Sequence, residues 1–283
     1  MSEPVTAAKC GALLDALRVK KPLVHFITNY VTVNDCANIT LAVGGAPVMS
    51  DQPDDAAEIC RLASALVFNI GTPGDRTLEA MLRAGKAANE AGIPVVLDPV
   101  GAGASSFRNR LLEKLLEEVK FAAVKGNISE IRFLASGTGK SMGVDASKDD
   151  IVLGSDSSAV ARLAAGLSRG IGAVVIVSGR IDVAADGERA YGIFNGDAMM
   201  GRLTGTGCMG SGVVASFLGA APCEPLASSI AGMCVMGLAG ELARKKLAPS
   251  SGTGTYRTLL MDEVSCMTGS VLENGVRLSQ IVL

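Results

Sequence analysis

The chain reads as an α/β protein: a mostly parallel central sheet with helices on both faces and an antiparallel addition. Three observations point there. Short β-branched apolar runs alternate with longer amphipathic or Ala-rich stretches along most of the chain, the signature of strand–helix–strand units. The strand-like runs are continuously apolar, as sheets covered on both faces require. A single Asp-Gly pair, Asp186-Gly187, sits between two further strand-like runs, and that pair is a strong hairpin signal.

Taken in order, the predicted strands are VHFIT at 24–28, APVM at 46–49, ALVFNI at 65–70, PVVLDPV at 94–100, FAAVKG at 121–126 and AVVIVSG at 173–179. Helices are expected between them over 34–43, 54–64, 77–91, 107–119 and 157–167. In 107–119 the residues Leu111, Leu112, Leu115, Leu116 and Val119 recur at three- and four-residue spacing, which lines one helical face. The hairpin IDVAADGERAYGIFNG follows, then two long Ala/Gly-rich helices over 207–220 and 225–246, then a last helix from about Leu259. The stretch 136–158 is loop-rich, but alternation resumes unchanged after it. It is read as a surface connection inside one domain spanning 1–283, with no separate lid domain.

Composition removes several function classes. With 48% hydrophobic and 19% charged residues among 283, the chain is not intrinsically disordered. Lys plus Arg number 26 against 28 Asp plus Glu, with three Tyr, seven Phe and no Trp, so the basic footprint and stacking platforms of nucleic-acid binding are lacking. The seven cysteines show no CxxC spacing. Without a targeting segment in MSEPVTAAKCGALL, they read as reduced thiols of a cytoplasmic protein. The one histidine, His25, disfavours a His-based zinc site or a Ser-His-Asp triad. Between Gly205 and Gly240 only Glu224 is charged. The Gly/Ala/Ser content and the Pro222 and Pro225 breaks favour a buried helix pair over a membrane span.

Two motifs invite a wrong reading. Gly205-Thr-Gly-Cys-Met-Gly210 fits G-x-G-x-x-G but follows DAMMGRLT rather than a buried strand, and no acid lies about 20 residues on. Gly137-Thr-Gly-Lys-Ser141 resembles half of a phosphate-binding loop, but Leu134 stands where the first glycine belongs.

Four features at predicted strand exits carry more, because α/β sheets place their sites there. Asp98 ends the strand of VVLDPVGAG and suits a magnesium or phosphate site; alternatively it caps the next turn. Asn127-Ile-Ser-Glu130 puts Glu130 on the same rim, or builds a helix capping box. Ser178-Gly179 offers a hydroxyl and a backbone amide to phosphate or ribose, or is an ordinary turn. Thr204-Gly205-Thr206-Gly207-Cys208 precedes a helix, so convergent amides and the helix N-terminus form an anion cradle with a thiol in its first turn; the rival is a buried cysteine at a tight helix contact. Cys223 and Cys234, embedded in apolar helical stretches, are expected to be cysteines of that second kind. Together the four describe magnesium-dependent phosphoryl transfer to a small alcohol, with Cys208 as the proton acceptor.

These residues closely resemble the hydroxyethylthiazole kinase family of the ribokinase-like superfamily over nearly the whole chain. HFITNYVTVNDCANITLAVGGAPVMSD, LVFNIGTP, VVLDPVGAGAS, VKGNISEI, VSGRIDV and TGTGCMGSG follow in the family's order. Cys208 after Gly207, where relatives acting on hydroxymethylpyrimidine or pyridoxal are expected to carry Asp, points to the thiazole branch. The resemblance implies a three-layer α/β/α sandwich and ATP-dependent phosphorylation of 5-(2-hydroxyethyl)-4-methylthiazole, the salvage step toward thiamine. It implies Cys208 as base, Asp98 and Glu130 serving Mg2+, and Lys125 and Ser178 contacting ATP, where Gly179, Thr206 and Gly207 also belong. Asn29, Met49, Gly71 and Gly205 would line the thiazole pocket, and the family implies a homotrimer with sites near subunit boundaries. The alternatives are a hydroxymethylpyrimidine or pyridoxal kinase, the related hydrate dehydratase, or a non-catalytic sensor on the same fold.

Overall fold

The computed structural model describes residues 3–136 and 156–283. The half-loop at 137–141 and nearly all of the 136–158 connection lie outside these residues. Nine strands form one sheet: β1 (Leu23–Ile27), β2 (Ala46–Met49), β3 (Ala65–Asn69), β4 (Val95–Asp98), β5 (Ala123–Asn127), β6 (Val174–Ser178), β7 (Asp182–Ala185), β8 (Ala190–Ile193) and β9 (Leu278–Ile281). Their order is β2-β1-β3-β4-β5-β6-β7-β8-β9. The first six are parallel, with Leu23 opposite Ala46, Val24 opposite Ala65 and Leu66 opposite Val95. The last three add antiparallel, β7 and β8 as the hairpin around Asp186-Gly187.

Alternation along each strand feeds two apolar layers. On β3, Ala65 and Val67 face one core while Leu66 and Phe68 face the other. The second core is covered by α3 (Pro53–Leu62), α4 (Asp75–Ala91), α5 (Ser106–Glu118), α6 (Ile128–Ala135) and α7 (Ser157–Ile171). The first is covered by α1 (Ala7–Lys20), α2 (Val33–Val43), α8 (Thr206–Ala220), α9 (Pro225–Lys246), α10 (Thr253–Cys266) and α11 (Gly269–Gly275). This is a three-layer α/β/α sandwich. The full burial of β3 and β4, and of β5 as far as Gly126, on both faces explains why these strands read as apolar runs.

Four elements were not anticipated: α1, a 3-10 turn, β9 and α11. α1 is capped by Thr6 and buries Cys10, Leu13, Leu14 and Leu17. A 3-10 turn spans Ala198–Arg202. β9 is a half-exposed edge strand, LSQI, too polar and short to announce itself. The last long helix starts at Thr253 rather than near Leu259 and is followed by α11.

The Ala/Gly-rich helices α8 and α9 are core elements. A Cβ on Gly232 would lie 3.0 Å from the Cα of Val214, so only glycine permits this approach. α9 is long and apolar enough to cross a membrane, but 89% of its most apolar stretch is buried inside the molecule. One expectation is corrected here: Cys234 is buried, but Cys223 lies in the α8–α9 connection and is exposed. The polar turn around Pro222 and Glu224 lifts it out of the helix pair.

The connections place the site. From β1 the chain goes to its neighbour β2 on one side, then returns past β1 to β3 on the other. The carboxyl ends of β1 and β3 therefore flank a crevice at the point where the strand order reverses, the usual ligand position in such sheets.

Candidate active site

The rim of this crevice is polar. Asn29 follows β1 by two residues, and Asn69, Asp98, Asn127 and Ser178 are the last residues of β3, β4, β5 and β6. The sheet register sets Asn69 beside Asp98 and Asn127 beside Ser178. The N-terminus of α8 opens onto the same rim. Gly205, its N-cap, has φ of 94°, a conformation that favours glycine. The first amides of α8 lack helical acceptors and carry the positive end of the helix dipole.

Cys208, half-buried in the first turn of α8, receives two side-chain amides. Asn69 Nδ2 donates to its Sγ at 3.2 Å and Asn29 Nδ2 at 3.5 Å. Asn69 Nδ2 also donates to Asp98 Oδ2 at 2.9 Å, and Ser211 Oγ, one turn beyond Cys208, donates to the same oxygen at 2.8 Å. Asp98 is buried, and burial raises its carboxyl pKa; Lys125, Ser211 and Asn69 oppose that rise.

Lys125 on β5 is buried (2% exposed), and its ammonium donates to the Gly207 carbonyl at 2.9 Å. It borders a cleft of about 530 Å³ whose walls include Ser178, Gly179, Asp182, Thr206 and Gly207. Burial pushes the Asp182 carboxyl up to about 6, against the lowering effects of the Gly179 amide and Lys125. Glu130 forms both halves of the capping box: Asn127 Oδ1 accepts from Glu130 N at 3.0 Å, and Glu130 Oε2 accepts from Asn127 N at 2.8 Å. Its Oε1 accepts from Gly101 N at 3.0 Å. Burial, and to a smaller extent Asp98, raise the Glu130 carboxyl. The cap and the rim position thus coexist.

The other expected site residues are placed as follows. Gly71 donates its amide to Asn69 Oδ1 at 2.9 Å. Met49 ends β2 opposite Phe26, half-buried on the same rim. A Cβ on Gly205 would meet Thr32 at 2.8 Å, which brings the α8 N-cap against the loop after Asn29. Three groups expected to be open to a nucleotide are already paired. The Gly179 amide donates to Asp182 Oδ1 at 2.9 Å, and the Thr206 hydroxyl donates to the Met200 carbonyl at 3.1 Å. The Ser178 hydroxyl donates to the Gly126 carbonyl at 3.3 Å.

Among the described residues, no group of three or more His, Cys, Asp or Glu side chains could cage a metal. Mg2+ takes one or two carboxylates and fills its remaining positions with water and phosphate oxygens. Asp98 and Glu130 provide two hard oxygen donors whose charges sense each other, so the residues fit a shared, water- and phosphate-completed ion.

Residues 14–270 match the model of the hydroxyethylthiazole kinase family. The chain belongs to the hydroxyethylthiazole kinase family. Hydroxyethylthiazole kinases of Ruminiclostridium cellulolyticum and Clostridium beijerinckii are 46% and 45% identical to it, covering 95% and 96% of this chain and 96% and 98% of theirs. The hydroxyethylthiazole kinase structure of Pyrococcus horikoshii superposes with a TM-score of 0.85 at 32% identity, over 96% of this chain and 99% of that one. A Staphylococcus aureus pyridoxal kinase in complex with ADP shares the fold, with a TM-score of 0.57 at 15% identity over 78% and 88% of the two chains. The fold is therefore ribokinase-like, and the family's members are kinases acting on an alcohol.

Residue-by-residue reading missed Asn69, Ser211 and Asp182 at this family's rim. Asn69 carried the same signal as Asp98, a polar residue closing an apolar strand before a glycine turn. Ser211 and Asp182 gave none. Arg108 was also missed. It clamps the β3 and β4 exits, donating to the Ile70 and Val100 carbonyls and, at 2.9 Å, to that of Gly71.

Proposed function

We propose that the protein transfers the γ-phosphoryl group of ATP to the side-chain hydroxyl of 5-(2-hydroxyethyl)-4-methylthiazole, in thiamine salvage in the cytoplasm. The observation that carries this reading is Cys208: a half-buried thiol in the first turn of α8, facing donors from Asn29 and Asn69 on the rim that holds Asp98.

Cys208, as thiolate, accepts the hydroxyl proton while the alcohol oxygen bonds to the γ-phosphorus. The bond from that phosphorus to the β-γ bridging oxygen breaks, and ADP leaves with the electron pair. The α8 amides and Lys125 stabilise charge on the transferred group. ATP lies along Lys125, Ser178, Gly179, Thr206 and Gly207, and the thiazole lies against Asn29, Met49, Gly71 and Gly205. Asp98 and Glu130 would hold Mg2+, which when bound neutralises phosphate charge. The described residues work as one domain, with no separate lid domain among them. A homotrimer closing the site fits the exposed Tyr30 and Val31 (79% and 61%) directly after Asn29, because a neighbouring subunit can exclude water there.

The test is a coupled ADP-release assay over thiazole, hydroxymethylpyrimidine and pyridoxal alcohols with Mg2+. ADP release with the thiazole alcohol supports the reading. Release only with another alcohol, or thiazole binding without ADP, overturns it.

A further inference from the structure

We infer that Asn69 is the positioning residue for Cys208, one rigid amide that ties the sulfur to the carboxylate of Asp98. The inference rests on Cys208 being the proton acceptor. Asn69 is buried (2% exposed), and its amide makes four contacts. Oδ1 accepts from Gly71 N and from Asn29 Nδ2, each at 2.9 Å. Nδ2 donates to Asp98 Oδ2 at 2.9 Å and to Cys208 Sγ at 3.2 Å. An Asn side chain has two N–H donors and a carbonyl with two lone pairs, so its capacity is filled.

The orientation of this amide is forced. The Gly71 amide can only donate, so it must meet Oδ1. Rotating the group by half a turn would set N–H against N–H there and oxygen against the Asp98 carboxylate. Asn29 is held in the same way, because its Oδ1 accepts from Thr32 N at 3.0 Å and from Thr32 Oγ1 at 3.1 Å. Both NH2 groups therefore point at the sulfur by necessity. Donors fill the side of Cys208 that faces the sheet, which leaves the opposite side for a substrate hydroxyl. Because one planar group bonds both the sulfur and Asp98, the proton acceptor and the candidate metal carboxylate move together. A reacting group misplaced by about 1 Å costs roughly 10²-fold in rate.

The test is a double-mutant cycle of Asn69→Ala with Cys208→Ala, read together with the rate at which iodoacetamide alkylates Cys208, followed by peptide mass mapping. Asn69→Ala is expected to lower kcat about 10- to 100-fold with KM for ATP within about twofold. It should have a clearly smaller further effect in the Cys208→Ala background, because the sulfur it positions is gone and only its contact with Asp98 is left to lose. The alkylation rate of Cys208 should change severalfold, and this readout stands even if no alcohol in the panel is phosphorylated. Fully additive losses, or an unchanged alkylation rate, overturn the inference. Should Asn69→Ala not fold, Asn69→Asp keeps the acceptor for Gly71 but turns an oxygen toward the sulfur and Asp98. Its kcat should fall at least as far, and near-normal turnover overturns the assignment.

Discussion

The ammonium of Lys125 lies 2.9 Å from the carbonyl oxygen of Gly207, the residue before Cys208. The side chain reaches from β5 to the first turn of α8, and a Cβ on Gly210 would lie 3.1 Å from Lys125 Cε. The same charge opposes the burial-driven rise of the Asp98, Glu130 and Asp182 carboxyls. Lys125→Met should raise KM for ATP about 10- to 100-fold, the worth of a charged hydrogen bond. It should also move the acid limb of the pH–rate profile to higher pH, because Asp98 then keeps its proton longer. Lys125→Arg should retain most activity. Steady-state kinetics across pH checks both effects, and an unmoved acid limb would show that the charge does not reach Asp98.

Cys208→Ala should reduce kcat about 10²–10⁴-fold, the range for a positioned base, while calorimetry still detects thiazole binding. Cys208→Asp should keep activity, because a carboxylate is ionised at neutral pH and can accept from the same two amides. Near-normal turnover in the alanine variant would remove Cys208 from the chemistry.

Burial raises the carboxyl pKa of Asp182 in the folded protein to about 6 from its ordinary value of 3.8. Between these values the folded protein binds the extra proton, so this group makes stability fall as pH rises from about 4 to about 6. Above that window its full cost, about 3 kcal/mol, is present. Asp182→Asn retains an acceptor for the Gly179 amide and removes the half-buried charge. Urea melts should show the variant more stable at pH 7.5, with the difference closing near pH 4. An equal difference at both pH values would mean that Asp182 does not titrate in this window.

Asp98→Asn and Glu130→Gln should each raise the Mg2+ concentration needed for half-maximal activity. The effect should be larger for Asp98, since both Glu130 oxygens already accept backbone amides, Oε2 from Asn127 in the capping box and Oε1 from Gly101. A magnesium titration of each variant measures this, and superimposable curves would exclude both carboxylates from the metal.

Gly205→Ala places a Cβ 2.8 Å from Thr32 Cγ2 on a residue with φ of 94°. The variant should lose about 1–2 kcal/mol of stability and bind the thiazole alcohol more weakly, because the start of α8 must shift. Thermal melts and KM for the alcohol report the two effects separately.

Local pattern was enough for much of this protein. Short continuous apolar runs located the first six strands within a few residues, and three- and four-residue apolar spacing located the helices between them. Asp186-Gly187 announced the hairpin, and the glycine loop before Cys208 announced the α8 N-terminus. These signals are short-range, set by backbone geometry and by which face of an element must leave water. Weak local signals hid the rest. β9 is a polar edge strand held by its pairing with β8, and Cys223 sits in a turn that only the α8–α9 packing exposes. The role of Asn69 is wholly tertiary. Asn29, Asn69, Asp98 and Cys208 are far apart along the chain and meet because β1, β3 and β4 end on one rim under α8. Nothing in a linear pattern specifies which carboxylate and which sulfur a buried amide will bridge; that follows from strand order and register, which the packing of the two apolar layers decides.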